Sequence, residues 1–89
     1  MNKEIAQKIL ERELRELGTR TYQSLRELIG TPIAKTVTGQ DGKPYQVEIN
    51  VFWDDKPEGS LRVGVSIDDG GWRAFSPLTR DVIVPPTSD

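Results

Sequence analysis

The sequence predicts an α+β fold in two layers: two N-terminal helices packed on one face of a four-stranded antiparallel meander. Three observations point there. Apolar residues recur with a helical period up to about residue 29, and from residue 31 the period changes to two. The strand-like runs are separated only by short turns rich in Gly, Pro and Asp. Strands joined by short turns pair with their neighbours, and a helix stripe and a sheet face each need an apolar partner, so two layers result. At 89 residues, with 35% hydrophobic and 29% charged, the chain suits one small domain. We assign that domain to residues 1–84 and read residues 85–89 as a disordered tail.

In the first helix, residues 3–17, Asn2 is the cap and Glu4 lies in the first turn, where a carboxylate suits the helix dipole. Ile5, Ala6, Ile9, Leu10, Leu14 and Leu17 share one half of its wheel. Glu4–Lys8, Glu11–Arg15 and Glu16–Arg20 are spaced for i,i+4 pairing, acid first. Gly18 suits the position just past the helix end. Thr19 or Thr21 then caps a second helix whose face carries Tyr22, Leu25, Leu28 and Ile29, ended by Gly30-Thr31-Pro32. A single long helix kinked at Gly18 is the alternative.

The strands follow. Ile33–Thr38 and the alternating run Tyr45 to Trp53 form a hairpin around Gln40-Asp41-Gly42-Lys43. Asp54 to Ser60 leads to Leu61–Ile67, which also alternates. If Trp53 stands opposite Leu61, then Val51 meets Val63 and Ile49 meets Val65 on the core face, with Phe52 across from Arg62 on the other. Lys35 falls on the core side between Ile33 and Val37, a device that blunts an edge strand. Asp68-Asp69-Gly70-Gly71 is the next turn, Trp72–Phe75 the expected fourth strand, and Val82–Val84 either a fifth strand or a segment crossing the sheet edge.

The chain has no Cys and no His. That excludes Cys/His zinc sites, thiolate chemistry and disulfides, and removes the side chain best suited to proton transfer near pH 7. It also favours a cytoplasmic setting. No apolar run reaches the length of a membrane span. The net charge is −2, split into +1 over the first 30 residues and −3 over the rest, so no continuous track for phosphates exists and nucleic acid is not the expected partner. GxGxxG, P-loop, HExxH and GxSxG patterns are absent. We predict no catalytic residue, cofactor or metal site.

Four features remain. Asp54-Asp55 and Asp68-Asp69 flank one strand but lie at its opposite ends, roughly 20 Å apart, so they cannot share a metal. Asp68-Asp69-Gly70-Gly71 alone either supplies turn geometry or holds a hard cation loosely. Trp72-Arg73 either clamps an anion or has an aromatic in the core beside a solvated Arg. Glu13 falls near the middle of the apolar stripe. There it is a perturbed acid needing a partner such as Arg62, Arg73 or Tyr45, unless the helix end overhangs the sheet and Glu13 reaches water. The sheet face away from the helices carries Gln46, Glu48, Asn50, Phe52, Arg62, Gly64 and Ser66, a solvated face with binding potential.

The stretch Ser66-Ile67-Asp68-Asp69-Gly70-Gly71-Trp72-Arg73-Ala74-Phe75-Ser76-Pro77-Leu78, with Val82-Ile83 after it, resembles a signature of small bacterial proteins that form a family without an assigned activity. The resemblance implies a bacterial origin and carries over no catalytic or ligand residue. The expected function is a small non-catalytic protein-binding domain, acting on a protein partner or as a homodimer through Phe52, Arg62, Gly64, Trp72 and Arg73. The alternatives are a carboxylate-dependent enzyme or ligand-binding subunit using Glu13 or Asp68-Asp69, and nucleic-acid binding through the helix arginines.

Overall fold

The computed structural model describes residues 2–70 and 77–86. Helix α1 spans Lys3–Gly18, and the Asn2 side chain accepts a hydrogen bond from the Ile5 amide at 3.1 Å. It ends differently from the expectation. Gly18 is the last helical residue and Thr19 caps it in right-handed geometry. The Thr19 hydroxyl donates to the Glu16 carbonyl at 2.7 Å, so no left-handed glycine is needed to satisfy the helix end. Among the described residues, none of the three expected i,i+4 ion pairs of α1 closes within 4 Å. These side chains are solvated and gain little by pairing.

Helix α2, Tyr22–Arg26, is capped by the Thr21 hydroxyl, which accepts from the Ser24 amide. It is one turn long and stops short of Ile29, because the chain tightens into i→i+3 bonds from Leu28 to Leu25 and from Ile29 to Arg26. Ile29 then makes a parallel bridge to Val51. Sheet pairing overrides helix propensity here. Arg26 anchors the corner, gripping Glu58 with both guanidinium nitrogens while its centre lies 5.3 Å from the Trp53 ring. The Tyr22 hydroxyl donates to the Gly59 carbonyl at 2.6 Å.

Four strands follow: β1 Ile33–Thr38, β2 Pro44–Trp53, β3 Leu61–Asp68 and β4 Leu78–Val84. Among the described residues they form one antiparallel sheet in the order β1-β2-β3-β4. Trp53 does stand opposite Leu61, which brings Val51 opposite Val63 and Ile49 opposite Val65. The segment Trp72–Phe75 lies outside the described residues, as do residues 87–89 of the expected tail. Val82–Val84 is no separate element: it is the end of β4, whose whole length pairs with β3.

Helix α1 lies against β3 and β4. Ala6 and Leu10 of α1 are fully buried, as are Leu61, Val63 and Ile67 of β3. Its first turn meets the β1–β2 hairpin at Gly39, where an added Cβ would sit 2.6 Å from Tyr45 Cε1 and 2.9 Å from Ile5 Cγ2. Only glycine permits that approach.

Candidate interaction surface

Side chains alternate across a strand, so the odd positions of β2 and β3 that build the core leave the even ones on the helix-free face. Cross-strand register orders this outer face into rows. One row runs Phe52–Arg62–Ile83 and the next Asn50–Gly64–Asp81. Phe52 is 54% exposed and Ile83 47%. Sequence reasoning named Phe52, Arg62 and Gly64, and the structure brings them together. Trp72 and Arg73 lie outside the described residues. Ile83 completes the patch and was missed, while its neighbour Val82, opposite Val63, points to the helix side. The available signal was the apolar Val82-Ile83 pair, which has no meaning as a surface until its register to Arg62 is known.

Arg62 is held from both sides. Its Nε and Nη2 donate to Asp54 Oδ1 at 3.1 and 2.8 Å, and its Nη1 donates to Asp81 Oδ2 at 3.2 Å. The hydrogen bond to Asp54, then that to Asp81, holds the guanidinium still further above its high ordinary value. Gly64 gives Asp81 room, since a Cβ there would stand 3.0 Å from Asp81 Oδ1. The outcome is a fixed cation flanked by two exposed apolar side chains.

Glu13 is on the other side of the sheet. It is buried, at 3% exposure, and does not reach water past the end of the sheet. Two of the expected partners are engaged elsewhere, Arg62 on the opposite face and the Tyr45 hydroxyl on Asp41, while Arg73 lies outside the described residues. The partner is Lys35, whose Nζ lies 2.8 Å from Glu13 Oε1. Two features that look separate in sequence, an inward carboxylate on the helix and an inward cation on the first strand, are one ion pair.

At the hairpin end, Asn2, Asp41, Lys43, Tyr45 and Asp69 line a polar cavity of 400 Å³. Desolvation works to raise the Asp41 carboxyl. Hydrogen bonds from the Tyr45 hydroxyl, at 2.9 Å, and the Lys43 amide outweigh it and hold Asp41 below its ordinary value. Tyr45 moves the other way, pushed up by its own burial and by donating to Asp41. Asp68 accepts from the Gly70 amide at 2.7 Å and Gly70 has a φ of +75°, the geometry of a turn. Among the described residues, no three His, Cys, Asp or Glu side chains converge on a metal position. Of the helix cations, Lys8, Arg12 and Arg15 line a groove of 290 Å³ with Thr38, Gly39 and Gln40. No described helix is long and apolar enough to cross a membrane. Compared with known proteins, the chain matches no family model, no curated protein and no solved structure.

Proposed function

We propose that this chain is a small, non-catalytic protein-binding domain of the bacterial cytoplasm, with the outer-face row Phe52–Arg62–Ile83 as its contact surface. One observation carries the reading: two of the largest exposed apolar side chains stand in a single cross-strand row around an arginine already fixed by Asp54 and Asp81. Binding surfaces favour an aromatic or Arg anchor inside a polar rim, and a pre-ordered arginine loses little freedom on binding. Asn50 and Asp81 in the next row supply polar groups to that rim.

The test is site-specific photo-crosslinking in the host cell with a benzophenone amino acid at position 52, and at position 36 on β1 as control. A discrete crosslinked protein at 52 and not at 36, lost on Ile83→Ser, supports the reading. No crosslink at 52, or the same background at both positions, overturns it.

The carboxylate-dependent reading is weakened by the engagement of Glu13 with Lys35 and of Asp68 in its turn. The nucleic-acid reading would use the Lys8–Arg12–Arg15 groove, whose described lining includes no aromatic side chain for base stacking.

A further inference from the structure

From the edge of β4, which no described strand covers, we infer that this chain pairs with a second copy of itself, joined β4 to β4 antiparallel about a twofold axis centred on Val82. The inference goes beyond the reading of the outer-face row: the contact is at the sheet edge, and Phe52, two strands in from β4, lies outside it.

The backbone shows which groups are available. Gly39 N–H donates to the Lys43 carbonyl and Asp54 N–H to the Ser60 carbonyl, both at 2.8 Å. With the observed registers, these bonds fix the alternation across the sheet, so the even residues of β3 point their amides at β2 and the odd ones at β4. On β4, the backbone groups of Thr79, Asp81 and Ile83 therefore face outward, beyond the last strand. Val82 is 37% exposed and Ile83 47% on this same edge. Beside it an apolar cleft of 260 Å³ is lined by Leu14, Leu17, Leu25, Val63, Val82 and Val84. An open apolar edge is a template for another strand.

Charge selects the register. Strand pairing that continues the sheet, with both helix layers on one side, sets same-face residues opposite each other. A twofold at Arg80 puts Arg80 against its own copy, and one at Asp81 puts Asp81 against its own copy. Like charges directly opposite are destabilising. A centre at Ile83 sets Asp81 against Pro85, which has no amide to donate, and leaves one proline-free pair of outward-facing residues, whereas at Val82 there are two and Pro85 falls only at the outer end, opposite Thr79. Centres before Arg80 leave Val82 and Ile83 uncovered. A twofold at Val82 remains. It sets Val82 against Val82 in a closely spaced pair, and hydrogen-bonds Asp81 to Ile83 of the second copy and the reverse. The surface is then self-complementary, as a twofold dimer requires.

A single strand junction buries less than the roughly 1,200 Å² of a standard interface, so the dimer is weak and concentration-dependent. Sedimentation of the whole chain up to about 1 mM reads it, as that size limit implies. Val82→Lys puts two ammonium groups on the axis and weakens the dimer about tenfold or more, with circular dichroism verifying that the variant is folded. Because the chain has no cysteine, Val82→Cys adds a lone thiol. A closely spaced antiparallel pair has Cα atoms about 4.5 Å apart, within disulfide reach. Mild oxidation then gives a covalent dimer much faster than Thr36→Cys on β1. A monomer at every concentration, or equal crosslinking at positions 82 and 36, overturns the inference. If that monomer still captures a distinct protein at position 52, the protein-binding reading survives alone; if nothing is captured, both fall.

Discussion

The two edges of the sheet are built on opposite plans. On β1 the backbone groups facing outward belong to Ala34, Thr36 and Thr38, and no large apolar side chain is exposed there. Lys35, in the row that faces the helices, holds its ammonium on Glu13 of α1. A second strand arriving at β1 would have to cover the Lys35 side chain, which is 41% exposed, and strip water from its ammonium. On β4, Arg80 guards only the first half of the strand, while among the described residues Val82 and Ile83 leave the second half apolar and open. One sheet therefore carries one edge closed by charge and one left ready to pair. An edge is made safe by where a single cation points, not by the mean polarity of its strand.

The largest test breaks the closed edge. Lys35→Ala leaves Glu13 buried without its cation. Removing one partner of a fully buried pair costs roughly 3–5 kcal/mol, and solvent around the half-exposed lysine reduces that to about 2–3 kcal/mol. Chemical denaturation measures the loss. Combining Glu13→Leu with Lys35→Met removes both charges, and stability returns to near that of the parent. The doubly apolar edge loses its guard, so this stable variant is expected to self-associate through β1 in light scattering. A double variant that stays as monodisperse as the parent would show that the ion pair is structural and not a guard.

How much of this contrast was legible in the sequence differs between the edges. The period-two runs Tyr45 to Trp53 and Leu61 to Ile67, joined by one loop, set which face their odd positions share, and with Trp53 opposite Leu61 the structure keeps them on the core face. Lys35 and Glu13 were each visible as a charge at an apolar position. Their pairing was not, because the direction in which α1 crosses the sheet is written in no local period. The fourth strand was illegible for a related reason. Leu78-Thr79-Arg80-Asp81-Val82-Ile83-Val84 is half in solvent and carries adjacent opposite charges, so it has no clean alternation, and its role emerges only from its pairing with β3. The outer-face patch was half legible for the same cause: Phe52 and Arg62 follow from the central strands, Ile83 does not.

Two intermediate effects ask whether the hairpin holds β1 in place. Gly39→Ala drives a methyl against the buried Tyr45 ring and Ile5, and is expected to cost about 2 kcal/mol by thermal or urea denaturation. Little or no loss would mean that α1 does not press on the hairpin as described. The Asp41–Tyr45 hydrogen bond gives a smaller, pH-dependent signal. Because the Asp41 carboxyl is lowered from its ordinary 3.8, it favours the folded state above that pH and loses its contribution as pH falls through the lowered value. Asp41→Asn should therefore be less stable than the parent at pH 7, with the difference shrinking below pH 4. A pH-independent difference would mean that the carboxylate charge is not what the tyrosine recognises.

The smallest effect sharpens the contrast most, because it is a predicted near-zero. Ile83 is on the outer face of the open edge, 47% exposed, opposite Arg62 and outside the core packed between helix and sheet. Ile83→Thr keeps the β-branched shape that suits a strand and removes only half-exposed apolar surface, so stability should change by less than about 0.5 kcal/mol. The same substitution on a residue that only plugs a gap in the fold would cost several times more. If Ile83→Thr leaves the denaturation midpoint unchanged while weakening association, the residue is there for contact. A loss comparable to that of Gly39→Ala would instead make β4 part of the core, and its edge as closed as the one on β1.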